Sequence, residues 1–242
     1  MTTTRILAAA LGCALATGAA AQEAEGCGTV RLSDLGWTDI ALTNATAMLL
    51  LEALGYEAES TLLGLDVTYM ALREGEMDVF LGNWRPIQNE QFAQFFDEGW
   101  VEVLGQNLEG AKYTLAVPSY VAEAGVRDFA DLDAFGEEFG RRIYAIEPGS
   151  NQTMVEAIAA DRHGLGDWEL VETSEAGMLA QVARMVPRGE WIVFQGWQPH
   201  PMNVDYDSVV TFTNEGRSFT WQFNGLDHRP VDITKIAPAG FP

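Results

Sequence analysis

A chain of 242 residues is long enough for two small lobes that each bury a core. A hydrophobic share of 48% with 20% charged residues excludes wholesale disorder. With 14 basic residues against 35 acidic ones, a formal charge of −21, the surface repels nucleic acid, whose phosphates require Lys and Arg.

The chain opens on an export pattern. Arg5 is the only charge before Glu23, the stretch from Ile6 to Leu15 is apolar, and Ala19-Ala20-Ala21 supplies an A-x-A cleavage site. Residues 1–21 therefore read as a signal peptide cleaved near Ala21, and the run is too short to span a bilayer. Removing Arg5 takes the basic count from 14 to 13 against 35 acidic residues, so the mature charge becomes −22. That acidity serves solubility, adaptation to salty surroundings, or the drawing of cations toward a cleft. Cys27 remains as an odd, unpaired thiol in an exported chain.

Strand-like and helix-like stretches then alternate. Strands are expected at Val30–Leu35, Ala58–Leu63, Asp78–Leu81 and Trp100–Leu104. Helices are expected at Thr43–Leu54, stopped by Gly55, from Asp66 as N-cap to Arg73, and at Gln88–Phe96. A break at Gln106–Lys112 precedes a second set. Its strands are Tyr113–Val117, Arg142–Ile146, Glu169–Glu172 and Trp191–Gln195, and its helices Ser150–Asp161 and Ser174–Met185. The alternation predicts α/β architecture with mostly parallel sheets. It predicts a first lobe over 22–109, a second over 110–203, and a cleft between them outside the carboxyl ends of the strands. In the remainder, 204–242, Ser208–Thr213 and Ser218–Phe223 read as a β-hairpin around Asn214-Glu215-Gly216-Arg217.

Large aromatic residues recur at strand ends: Trp37, Trp84, Tyr113 and Trp197. Four placed this way can converge on one cleft. Aromatic faces recognise a quaternary ammonium, which has no N–H to donate, through cation–π attraction and contact with its methyls. Other chemistry finds no support. His163, His200 and His228 lack metal-ligand spacing, and Asp131-Leu132-Asp133 opens a calcium-like loop whose twelfth position is Arg142 instead of glutamate. No nucleophile elbow, phosphate loop or dinucleotide fingerprint occurs, so no enzyme activity, metal or cofactor is expected.

Five segments occur in order: Gly36-Trp37-Thr38-Asp39, Gly82-Asn83-Trp84 with Pro86, Lys112-Tyr113, Gly149-Ser150-Asn151, and Gly196-Trp197 followed by Pro199-His200 and Met202. With them the chain resembles the choline-binding proteins of ABC importers, within the glycine betaine and choline substrate-binding family, from about Cys27 to Asn203. The resemblance implies a type II periplasmic-binding fold, two α/β lobes closing on a ligand. It implies a box of Trp37, Trp84, Tyr113 and Trp197, with Asp39 as the carboxylate beside the ammonium and Asn151 bonding the ligand's hydroxyl. It also implies a monomeric periplasmic protein working with an inner-membrane ABC permease. The alternatives are a periplasmic sensor that presents its ligand to a receptor, and a binder of glycine betaine or trimethylamine N-oxide. A carboxylate in the box favours a cation such as choline over zwitterionic betaine, and Arg85 beside Trp84 weighs lightly the other way. Beyond Asn203 the likeness ends. The C-terminal part of the first lobe is therefore expected to be incomplete, without its crossover strand and outer helices and with apolar surface exposed. A partner for Cys27, frequent in relatives, has no counterpart here.

Overall fold

The computed structural model describes residues 28–206, 209–211 and 231–241. The signal segment, Cys27, most of the expected hairpin and His228 lie outside the described residues.

The first half is built on β1 (Thr29–Asp34), α1 (Thr38–Ala53), β2 (Glu57–Leu62), α2 (Leu65–Arg73) and β3 (Val79–Arg85). Two short helices, α3 (Ile87–Gln91) and α4 (Ala93–Asp97), follow, and then the long β4 (Val101–Pro118). The second half continues with α5 (Ser119–Glu123), β5 (Arg142–Ala145), α6 (Gln152–Ala159), β6 (Glu169–Glu172), α7 (Glu175–Met185), β7 (Val193–Gln198) and α8 (Met202–Asp205). Two strands close the order, β8 (Val209–Thr211) and β9 (Val231–Pro238). The sheet runs β2-β1-β3-β9-β4-β7-β5-β6, with β8 paired to β4. β1 pairs in parallel with β2 and β3, and β5 with β6 and β7, as crossover helices require.

Three differences from the sequence reading matter for the site. First, the expected break at Gln106–Lys112 is spanned by β4. Its first part pairs with β9 and its last part with β7, with register shifts between Val103 and Ala111. Gly105 and Gly110 interrupt any polar–apolar alternation there, so the sequence signal fades while the backbone pairing continues. Second, the expected single helix over Gln88–Phe96 is two helices, because Phe92 leaves the helical backbone region at φ −110° and ψ 31°. Third, the first lobe does not lack its crossover strand. β9 lies antiparallel between β3 and β4, with Val231, Ile233, Thr234, Ile236 and Ala237 buried.

A buried polar network ties that strand in. Tyr69 donates its hydroxyl to Asn83 Oδ1 at 2.7 Å, and Asn83 Nδ2 donates to Thr234 Oγ1 at 2.8 Å. Asn83 is adjacent to Trp84, so the network that holds β9 also fixes the backbone that aims Trp84. Gly82 permits this packing, since a Cβ there would lie 2.8 Å from the side chains of Ile40 and Phe80.

The outer face of the first lobe is uncovered. α1 carries apolar residues all round and buries only Ile40 and Asn44. Leu42, Leu49, Leu50 and Leu54 stand 62–70% exposed. Among the described residues no helix follows β9 to cover them.

Candidate functional site

The site is assembled at the carboxyl ends of β1, β3 and β5 and on the paired strands β4 and β7. Gly36, with φ +79°, turns the chain after β1, and its N–H is held by Asp34 Oδ1 at 2.7 Å. That turn delivers Trp37 as the N-cap residue of α1. Thr38 and Asp39 form the first helical turn, so Asp39 is not the N-cap. Trp84 belongs to β3 itself, with Arg85 next to it pointing out to solvent. Tyr113 and Trp197 are register partners across the β4–β7 pair.

These four aromatic residues line one cavity together with Leu65, Ile87, Gln88, Gln91, Ile146 and Ser150. The indole side chains are nearly covered: Trp37 and Trp84 are 5% exposed and Trp197 3%. Trp84 and Tyr113 face each other at 6.2 Å between ring centres with a 58° tilt. His200 packs edge-on against Trp197 at 4.8 Å. Aromatic walls at such tilts surround a volume instead of stacking away the space between them, which is the geometry a compact methylated cation fills.

Asp39 stands behind this wall. Its Oδ1 accepts from Trp197 Nε1 at 3.4 Å, and its Oδ2 is buried without a partner among the described residues. Burial pushes its pKa up to about 6, against the lowering effect of the Trp197 hydrogen bond. A carboxylate this poorly satisfied gains from a nearby positive charge.

Asn151 is not on the cavity lining. It is the N-cap residue of α6, so the helix starts later than the expected Ser150. Its Nδ2 donates to the Ile146 and Glu147 carbonyls and to Glu172 Oε1, at 2.9–3.0 Å. Its Oδ1 is buried and has no partner among the described residues. The amide thus fixes the β5–α6 loop and keeps one acceptor unspent.

Two glutamates that sequence reading missed belong to the site. Glu147 Oε1 accepts from Trp37 Nε1 at 2.7 Å and from Ser150 Oγ at 2.8 Å. Glu175, at the start of α7, accepts from the Thr38 N–H at 2.9 Å and from the Thr38 hydroxyl, and it meets His200 Nε2 at 3.0 Å. His200 Nδ1 accepts from the Met202 N–H, so Nε2 carries the proton and donates to Glu175. His200 therefore fixes its loop. Gln88 and Gln91 also line the cavity; Gln91 donates to the Gly149 carbonyl at 2.7 Å. In a chain with 35 acidic residues, no local signal separates Glu147 and Glu175 from the rest.

Comparison with known proteins adds to this geometry. A family model described as the substrate-binding domain of an ABC-type glycine betaine transport system matches residues 28–220. An ABC-transporter choline-binding protein, solved in complex with choline, is 42% identical and superposes with a TM-score of 0.81, over 89% of this chain and 73% of that one. Lactococcal OpuAC, solved closed with glycine betaine, is 25% identical with a TM-score of 0.73, over 88% of this chain and 78% of that one. The uncharacterized protein ORF1 of Chromohalobacter salexigens is 46% identical over 125 residues, 52% of this chain and 81% of its own length.

Proposed function

We propose that this chain, which belongs to the family of substrate-binding domains of ABC-type glycine betaine transport systems, captures choline or a closely related hydroxylated quaternary ammonium. It would do so in the periplasm, after loss of residues 1–21, as a monomer that delivers its ligand to an inner-membrane ABC permease. No described helix is long and apolar enough to cross a membrane.

The observation that carries the reading is the convergence of Trp37, Trp84, Tyr113 and Trp197 on one cavity with the buried, under-satisfied carboxylate of Asp39 behind it. In this reading the four rings take the methylated head, each desolvated face contributing about 0.5–2 kcal/mol. Asp39 supplies the counter-charge from behind the wall, and Asn151, outside the lining, holds the β5–α6 loop whose Ser150 faces the cavity. The first lobe comprises residues 22–109 with the returning strand β9, the second residues 110–203, and β4 passes between them as the hinge.

Charge decides between ligands. Asp39, Glu147 and Glu175 gather around the cavity, and among its lining residues no Arg or Lys is present to receive a carboxylate. A cation fits that field, and a zwitterion brings a second charge of the wrong sign. Isothermal titration of the whole chain at pH 8 is expected to give micromolar choline binding, with glycine betaine at least about tenfold weaker. Equal affinity for the two, or heat from neither with folded protein, would contradict the reading.

A further inference from the structure

We infer that Glu147 and Glu175 are positioning residues that clasp the closed cleft, and that the clasp sets the rate at which ligand leaves. The inference rests on the binding function proposed above. Three consecutive residues at the start of α1 each bond across the cleft to the second lobe, every time through a carboxylate. Trp37 Nε1 reaches Glu147, the Thr38 N–H and hydroxyl reach Glu175, and Asp39 receives Trp197 Nε1. Gln91 adds a neutral rung to the Gly149 carbonyl.

The jaw on the second lobe is set within that lobe. Ser150 Oγ holds Glu147 at 2.8 Å, and the neutral His200 ring holds Glu175 at 3.0 Å while being held by Met202. The Glu175 side chain is buried, and a buried carboxylate needs charge-assisted donors. Burial works to raise its pKa, yet the hydrogen bonds from His200 and Thr38 hold it below the ordinary glutamate value. Thr38 supplies two of those donors from the opposite lobe, and opening the cleft removes both. Glu175 is absent from the cavity lining, so it acts on the loop that carries Trp37 and Asp39 and not on the ligand. Interactions made only in the closed form slow departure and leave encounter untouched.

Stopped-flow tryptophan fluorescence with choline on the whole chain tests this. Glu175→Ala is expected to raise the dissociation rate about 10- to 100-fold, as loss of hydrogen bonds to a charged group predicts. The association rate should stay within about threefold. Glu175→Gln, which keeps an acceptor oxygen, should fall between wild type and Glu175→Ala. Thr38→Val removes the hydroxyl rung at a surface position and should raise the rate about 3- to 10-fold. Because both changes break one contact, the double variant should leave no faster than Glu175→Ala alone, within about twofold. An unchanged dissociation rate in Glu175→Ala, or fully multiplicative effects in the double variant, would overturn the clasp. Should Glu175→Ala fail to fold, Thr38→Val decides: no change in its dissociation rate overturns the clasp. If wild type gives no signal with choline, the binding function fails and the clasp is judged by scattering. Expansion of ligand-free Thr38→Val relative to wild type then supports it, and an unchanged radius of gyration counts against it.

Discussion

Replacing Trp197 by alanine is expected to weaken choline binding about 100-fold, the largest loss from any single side chain in the box. Three effects add at this position. The residue is almost wholly covered, so truncation removes a desolvated aromatic face and leaves a void. Its Nε1 donates to Asp39 from the second lobe, so the carboxylate loses that partner across the cleft. Its ring also supports His200, and through His200 the Glu175 side of the clasp. Fluorescence titration or calorimetry reads the change directly. A loss below about threefold would show that Trp197 is a packing residue and not a wall of the binding site. Asn203, which donates to the Trp197 carbonyl at 2.7 Å, holds the backbone in place, so the truncation is expected to leave β7 intact.

The second large effect is a pH dependence with opposite signs for affinity and stability. Burial raises the Asp39 pKa to about 6 from an ordinary 3.8. A cation binds the carboxylate form, so choline affinity should be flat above pH 7. It should fall about tenfold per pH unit below about 6. Stability runs the other way. Between pH 4 and 6 the folded state holds a proton at Asp39 that the unfolded chain has released. This group therefore costs stability above pH 6, by at most about 3 kcal/mol, and the cost disappears as pH falls toward 4. Glu147, whose burial also raises its pKa, adds in the same sense, and Glu175, held low, opposes it. Asp39→Asn isolates the one residue. Its ligand-free form should be more stable than wild type at pH 8 and equal to it at pH 4 in urea unfolding. Its choline affinity should be weak and nearly independent of pH between 5 and 8. A wild-type affinity that holds steady from pH 7 to pH 5 would remove Asp39 from the site.

The stability cost of Asp39 and the exposed leucines of α1 are departures from local consistency of different kinds. The first falls in the cavity, where a poorly satisfied carboxylate is useful only when a cation arrives. The second falls on leucines that are exposed and absent from the cavity lining.

Much of the fold is legible in the sequence because period and punctuation agree there. β1, β2, β6 and α7 fall within a residue or two of where apolar patterning and Gly, Ser and Thr signals place them, and Ser174, the first residue of the expected helix, is the N-cap of α7. β4 and β9 escape for one physical reason. β4 bends through bulges that break the alternation, and β9 pairs only with strands more than a hundred residues earlier, a non-local choice that no window of sequence contains. At the site, Trp37, Trp84 and Trp197 are visible because large rings near Gly and Pro at the ends of strands have few packing alternatives, and Tyr113 by its motif. Asn151 is visible by motif, but its three donor bonds are not. Glu147 and Glu175 stay hidden because their role arises only when two lobes meet, and an acidic chain offers many carboxylates of equal local appearance.

The most direct measurement of the central claim compares choline with 3,3-dimethylbutan-1-ol, which keeps the hydroxyl and the three methyls and replaces the charged nitrogen by carbon. If aromatic faces and Asp39 select a cation, choline should bind at least about 100-fold more tightly at pH 8. That advantage should shrink below about tenfold in Asp39→Asn. Comparable affinities for the two in the wild-type chain would mean that the cavity reads shape and apolar surface alone, and would contradict the account.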